Sequence, residues 1–164
     1  MAAVGLDGCS GGGGGGGGGA GGGPTASSVA LSPSSGTVAK GAEFTRTVEV
    51  KNIGKTFYVA FDVTYDPKVV QYINAEENSF LNQNDTGSTS FQAALENGAE
   101  GRITIGLTQL SREVSGSGTL LTLHFKAVGS GTTPLSFSDP KGFMNSANKN
   151  VTIDSWEDGA VTVQ

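Results

Sequence analysis

Side chains suited to covalent chemistry are few in this chain of 164 residues, which has one histidine and one cysteine. A nucleophilic serine needs a nearby base, usually a histidine held by a third group. The single histidine, His124, lies between Thr122 and Lys126 on the polar side of a predicted strand. Residues 27–164 contain no Gly-x-Ser-x-Gly motif, which would form a strand-to-helix elbow for a nucleophilic serine. Acids that could form a glycosidase pair occur in predicted loops: Asp139, Asp154, Glu157 and Asp158. We predict that the protein is not an enzyme and has no catalytic residues.

A polar segment at residues 82–87, Asn-Gln-Asn-Asp-Thr-Gly, imitates the start of an EF-hand calcium loop. Oxygen-bearing side chains stand at alternate positions, with glycine sixth. The twelfth position, where a bidentate glutamate is needed, is Ala93, and the first is Asn82 rather than aspartate. We interpret this segment as a polar turn and predict neither a metal site nor a cofactor.

A glycine run near the N-terminus predicts a flexible tether. Residues 11–23 are all glycine except Ala20, and Pro24 follows them. Glycine has no side chain to bury and loses the most backbone entropy on ordering. We therefore expect a disordered tail whose r.m.s. span is roughly 20 Å.

The residues before this tether resemble the end of a bacterial lipoprotein signal. Leu6, Gly8 and Cys9 fit the motif of an aliphatic residue, two small residues and a modified cysteine, whereas Asp7 does not. A basic segment and an apolar stretch of signal length are missing. We expect residues 1–26 to hold a truncated signal remnant, a lipidated Cys9 and the tether; a free thiol in a disordered tail is the alternative. No other segment approaches the ~20 apolar residues of a membrane span, so we expect membrane contact only through this lipid anchor.

Residues 27–164 have the length of one domain. They carry all ten basic residues and, with Asp7 in the tail, 14 of the 15 acidic ones, which gives 10 − 14 = −4. Because no run of Lys and Arg could neutralise phosphates, nucleic acid is excluded as a partner. This segment lacks cysteine, so we expect its stability to come from a hydrophobic core.

Alternation of apolar and polar residues predicts β-strands along the whole domain. In residues 43–52, Phe44, Val48 and Val50 share one side, and charged or hydroxyl residues occupy the other. No window has a helical period, and turn clusters separate the runs. The same pattern recurs at residues 59–65, 102–108 and 121–127, with shorter runs at 69–73, 88–93, 133–137, 151–153 and 160–163. We predict an all-β fold of two antiparallel sheets packed face to face.

The order of these motifs resembles that of a cohesin domain from about residue 29 to residue 163. The motifs are Val-Ala-Leu-Ser-Pro at 29–33, Lys-Gly at 40–41, Val-Glu-Val-Lys-Asn at 48–52, a strand closed by Tyr-Asp-Pro at 65–67, Gly-Arg-Ile-Thr-Ile at 101–105, residues 118–127, Pro-Leu-Ser-Phe at 134–137 and Asp-Gly-Ala-Val-Thr-Val at 158–163. The resemblance implies a nine-stranded antiparallel β-sandwich with jelly-roll topology, related to certain carbohydrate-binding modules.

The resemblance also implies a function, which is to dock a dockerin in an assembly that degrades polysaccharides. The family's partner covers the sheet made by its eighth, third, sixth and fifth strands. Any calcium in the complex would belong to the dockerin, and the protein would be exported as an outer-membrane or cell-surface lipoprotein or be secreted. On this face the resemblance implies Asp62 and Thr64 from the third strand and Arg102, Thr104 and Thr108 from the sixth. A plain solvated surface is the alternative for these polar side chains.

Direct binding of polysaccharide is a second hypothesis. Related modules stack sugars on exposed aromatic rings, and the candidates are Trp156 and Tyr58. Trp156 is surrounded by polar residues at 154–158, although a lone tryptophan before a last strand also suits a plug over the end of the core. A structural domain at the cell surface is the third hypothesis.

Overall fold

The computed structural model describes residues 25–85, 88–96 and 100–164. The predicted tether and lipidation site, Cys9 included, lie outside the described residues. Twelve strands and one short helix are present: β1 (Ser28–Ser32), β2 (Thr37–Val38), β3 (Glu43–Thr56), β4 (Tyr58–Thr64), β5 (Val70–Glu77), α1 (Ser79–Asn82), β6 (Thr89–Leu95), β7 (Arg102–Gln109), β8 (Val114–Ala127), β9 (Gly131–Met144), β10 (Asn150–Val151), β11 (Ser155–Glu157) and β12 (Gly159–Val163). Nine strands have five residues or more, and the other three have two or three.

Two sheets form a sandwich. The first has the order β11-β1-β3-β8-β5, and the second has the order β2-β12-β9-β4-β7-β6, with β10 beside β9. Neighbouring strands are antiparallel except where the short strands β11 and β2 pair in parallel with β1 and β12. The predicted all-β sandwich is confirmed, and α1 is the one α-helix in the described ranges.

Inward side chains of both sheets make one core. Along β4, Val59, Phe61 and Val63 are fully buried, as the alternation predicts. The Phe61 ring meets the Phe137 and Trp156 rings edge-on, with centroids 5.3 and 5.9 Å away. Helix α1 buries Phe80 and Leu81, and it escapes sequence analysis because a single turn has no detectable period. No helix of the described ranges is long and apolar enough to cross a membrane.

Hydrogen bonds of the Tyr-Asp-Pro turn at residues 65–67 connect the end of β4 to the start of β7 and to β9. The Tyr65 backbone N–H donates to the Gly101 carbonyl at 3.0 Å, and the Asp66 N–H donates to Thr133 Oγ1 at 2.8 Å. The Tyr65 hydroxyl donates to the Glu100 carboxylate. Burial and this acidic neighbour raise the pKa of Tyr65 to about 12, so the ring stays neutral.

Arg46 is a cation on the inward side of β3. It is 4% exposed, and its Nε and Nη2 atoms have no hydrogen-bond partner among the described residues. Nη1 donates to the Thr45 carbonyl at 2.9 Å, and the guanidinium lies 5.1 Å from the Phe44 ring centroid. Burial lowers the pKa of Arg46. Its charge is therefore desolvated without a carboxylate to compensate it in the described part of the chain.

We predict that Phe61→Ala lowers the free energy of unfolding by about 3–5 kcal/mol, because it leaves a cavity beside two aromatic rings. Phe61→Leu, which keeps more of the side-chain volume, should cost less than Phe61→Ala. Urea unfolding followed by fluorescence of Trp156, the single tryptophan, measures both. Equal effects of the two variants would contradict this packing.

Arg46→Met should raise the free energy of unfolding by about 1 kcal/mol or more, since it removes an uncompensated charge and keeps an unbranched chain. Exposed Arg112→Met is the control and should leave the urea midpoint unchanged. A lower midpoint for Arg46→Met would show that the contacts with Thr45 and Phe44 outweigh desolvation.

Candidate functional site

The outer face of the second sheet is the candidate site. Strands β9, β4, β7 and β6 lie side by side in that order. Among the nine strands of five or more residues, these are the eighth, third, sixth and fifth. The order equals that of the face which the cohesin resemblance implies.

Residues on this face form rows that run across the four strands. Because Val59, Phe61 and Val63 point inward, the alternate residues of β4 point outward, and the pairing register gives each its neighbours. From one end to the other, the rows are Met144, Tyr58, Thr108 and Ser90; Gly142, Ala60, Gly106 and Gln92; Ser138, Asp62, Thr104 and Ala94; and Ser136, Thr64 and Arg102. The structure thus brings the five residues of the predicted docking face onto one surface.

Asp62 is buried on this face because the Arg102 side chain folds over it. Asp62 is 2% exposed, which corrects the expectation of a solvated side chain. Arg102 Nη2 lies 2.6 Å and Nε 2.7 Å from Asp62 Oδ2, and Nε lies 3.2 Å from Glu96 Oε2. Arg102 Nη2 also donates to the Asp139 carbonyl. The hydrogen bond with Asp62 raises the pKa of Arg102. This cation therefore links β7 to β4 and β9 and to Glu96, which directly follows β6.

Two buried polar atoms beside this ion pair lack partners. Asp62 Oδ1 and Ser138 Oγ have no hydrogen-bond partner among the described residues. They belong to residues paired across β4 and β9. A buried acceptor without a donor costs about 1–3 kcal/mol. A hydrogen-bond donor brought to Asp62 Oδ1 would recover this free energy.

The face has two shallow depressions that share Tyr58, Ala60 and Pro140. The larger, about 460 Å³, lies over β4, β7 and β6, and Asp62 is among its lining residues. The smaller, about 280 Å³, lies over β4 and β9 and reaches Met144 and Asn150. Both are open troughs on a sheet surface.

Several residues of this face are missing from the sequence prediction. Leu110 follows β7 and is 64% exposed, the largest value among exposed large apolar side chains in the described ranges. Gly106 and Gly142 lie inside strands β7 and β9. Glycine inside a strand is a signal that the sequence alone could have given, because glycine weakens a strand and often marks a close approach of another backbone. The contact of Glu96 with Arg102 depends on the pairing of β6 with β7, which sequence alone does not specify.

Trp156 and Tyr58, the sugar-stacking candidates, lie in different parts of the sandwich. The Trp156 ring packs against Phe61, Phe137 and Phe143, with centroids 5.9, 5.2 and 6.0 Å away. Lys141 Nζ lies 5.5 Å from its centroid. Tyr58 stands on the outer face of β4, so the two rings do not form one platform.

The remaining candidates for chemistry are scattered. His124 Nε2 lies 3.7 Å from Glu76 Oε2 on the first sheet, away from the candidate face. Asn82 Oδ1 accepts a hydrogen bond from the Asn84 backbone N–H at 2.9 Å, as in a polar turn; residues 86–87 of this segment lie outside the described ranges. Within those ranges, no group of three His, Cys, Asp or Glu side chains could hold a metal ion.

The fold and this surface define a β-sandwich module whose candidate site is a sheet face. The family model described as Cohesin domain matches residues 29–163, so the chain belongs to the cohesin family. Cohesin domains are non-catalytic protein-binding modules, typically found in extracellular or cell-surface scaffolds. No curated protein matches the chain significantly.

Solved cohesin structures share this fold at low sequence identity. A non-cellulosomal cohesin from the hyperthermophilic archaeon Archaeoglobus fulgidus is 16% identical, with a TM-score of 0.69 over 85% of this chain and 91% of that one. The sixth cohesin of Acetivibrio cellulolyticus scaffoldin B, solved with a Cel5 dockerin mutant, is 20% identical, with a TM-score of 0.70 over 85% and 100%. A Clostridium thermocellum cohesin from the Coh-OlpA–Doc918 complex is 14% identical, with a TM-score of 0.68 over 85% and 99%.

We predict that Arg102→Ala lowers the urea midpoint, because it leaves the buried Asp62 carboxylate without its cation. The double variant Arg102→Ala/Asp62→Asn should lower the urea midpoint by less than the sum of the two single variants. Thr104→Ala, an exposed change at the residue paired with Asp62, is the control and should lower the midpoint much less than Arg102→Ala does. Additive losses would show that the pair is not coupled.

Proposed function

We propose that this cohesin binds a dockerin through the outer face of β9, β4, β7 and β6, with no chemistry of its own. The observation that carries the proposal is the arrangement of this face. It has the strand order expected of the family's docking sheet, and it contains the unpartnered acceptor Asp62 Oδ1. Membership of the cohesin family, and relatives solved in complex with dockerins, support the same partner class.

The four strands alone make too small an interface for a stable complex. At about 4.8 Å between strands and about 6.8 Å between rows, four rows cover roughly 500 Å². A standard interface buries about 800 Å² on each partner. The rim must contribute the rest, and Leu110 at the end of β7 offers apolar area there.

The proposed docking residues have different roles. Thr64, Thr104 and Thr108 offer hydroxyl groups from the two central strands, and Thr104 is exposed. Only Oδ1 of Asp62 remains for a hydrogen bond with the partner, because Oδ2 is bound by Arg102. The first role of Arg102 in this proposal is to cover the Asp62 carboxylate. Tyr58 borders both depressions, so in this proposal it contacts a protein partner rather than a sugar.

We place this docking domain, residues 27–164, at the outside of the cell in a polysaccharide-degrading or cell-surface assembly. Residues 1–26 would supply the lipid anchor at Cys9 and the glycine tether. Such a tether holds the domain near the membrane and raises its effective concentration there. Calcium in the complex would be bound by the dockerin.

Calorimetric titration of the full chain tests the function. We expect saturable binding to at least one calcium-loaded dockerin from a panel that includes the Cel5 and Doc918 domains. Soluble polysaccharides are the second panel. Binding only to a polysaccharide would assign the chain to carbohydrate recognition. No binding to either panel would favour a structural surface domain.

A matched pair of variants locates the interface. Thr104→Arg adds a long charged side chain to the proposed face, and Thr45→Arg does the same on exposed β3 of the opposite sheet. Thr104→Arg should weaken dockerin binding by about 30-fold or more, the scale of a central interface residue. Thr45→Arg should keep wild-type affinity. The reverse result would move the interface to the first sheet.

A further inference from the structure

Gly106 of β7 and Gly142 of β9 occupy strand interiors where the fold does not require glycine. Neither has a positive φ. A Cβ atom built at either position meets no heavy atom within 4 Å. Gly129 shows the contrast, because a Cβ there would lie 2.1 Å from the Lys68 carbonyl oxygen. Glycine weakens a strand interior and often marks a place where another backbone approaches closely.

The two glycines flank Ala60 in one row across the face. Ala60 pairs with Gly106 on one side and with Gly142 on the other. Tyr58 borders this row at one side and Asp62 at the other. Ala60 and Gly106 line the larger depression, and Ala60 and Gly142 line the smaller one, so the row of three residues runs through both.

An independent observation points to an external ligand at this row. The Asp62 side chain is 3% exposed, lines the larger depression beside Gly106, and keeps Oδ1 without a partner in the described part of the chain. Arg102 already compensates the charge of this carboxylate through Oδ2. A neutral donor, such as a hydroxyl or an amide N–H, would satisfy Oδ1 without burying a second cation.

We propose that Gly142, Ala60 and Gly106 form a close-contact row for the backbone of a partner helix, and that the two glycines determine which partners fit. This inference rests on the proposed docking function. The helix carries small side chains where it meets the row and a neutral donor that reaches Asp62 Oδ1. Bulky side chains at those positions would hold it away from the sheet.

A helix fits this row better than an extended strand does. The backbone groups of central strands β4 and β7 are engaged in pairing on both sides, so the face offers no free ladder to a strand. A helix satisfies its own backbone and needs only a surface. From β9 to β7 the row of Gly142, Ala60 and Gly106 spans about 10 Å, which about six or seven helical residues cover at 1.5 Å each.

The proposal predicts opposite effects on folding and binding. Replacing Gly106 with Ala and then Val removes backbone freedom from the unfolded chain and adds β-propensity in open space. The thermal midpoint should therefore stay the same or rise. Affinity for the dockerin should fall in the order Gly, Ala, Val, with at least a tenfold loss for Gly106→Val, and Gly142→Val should behave alike.

The test compares the full-length variants by thermal unfolding and by calorimetry against the calcium-loaded dockerin that binds the wild type. Ala30→Val on β1, paired with Glu49 on the opposite sheet, adds the same bulk elsewhere and should keep wild-type affinity. Wild-type affinity of Gly106→Val and Gly142→Val overturns the inference and leaves the docking function intact. A marked fall of their thermal midpoints also overturns it, because the glycines would then serve the fold. A wild-type chain that binds no dockerin refutes the docking function and this inference with it.

Discussion

Burial of one side of β4 is the constraint on which the rest of the structure depends. Val59, Phe61 and Val63 are fully buried between the two sheets, so the alternation of a strand forces the residues between them outward. Core packing is dense and resists displacement. The same contacts that stabilise the sandwich therefore hold the outer face rigid, and a rigid face loses little entropy when a partner binds.

The Arg102–Asp62 pair adds a second restraint on the outer side. Ion pairs removed from water seldom add much stability, because desolvation offsets their attraction. Here the guanidinium also contacts Glu96 and the Asp139 carbonyl. It therefore connects β7 to β9 at one edge of the face and to the end of β6 at the other. Arg46, by contrast, lies buried in the core without a carboxylate in the described ranges. Arg102 therefore shapes the surface of the candidate site, whereas burial of the Arg46 charge opposes folding.

The alternation in the sequence predicted strands β3 to β9 and β12, the two sheets and the apolar core, because period-two patterns encode which side is buried. Strand β1 entered only through the resemblance, and β8 and β9 extend well beyond their alternating runs. The resemblance supplied the order of β9, β4, β7 and β6. Three features needed coordinates. Burial of Asp62 depends on the direction of the Arg102 side chain. The contact with Glu96 depends on where the end of β6 lies beside β7, and the row of Gly142, Ala60 and Gly106 depends on residues from three separate strands becoming neighbours.

Fold similarity does not specify the partner of this domain. The Archaeoglobus fulgidus cohesin reaches a TM-score of 0.69 at 16% identity, so most positions can change while the sandwich persists. Inward positions are restricted by packing, but exposed substitutions cost little stability. Outward rows such as Gly142, Ala60 and Gly106 are therefore free to change with the partner. In the proposed docking mode, specificity comes from these rows, where a change of one methyl group alters how closely a partner can approach and leaves the core untouched.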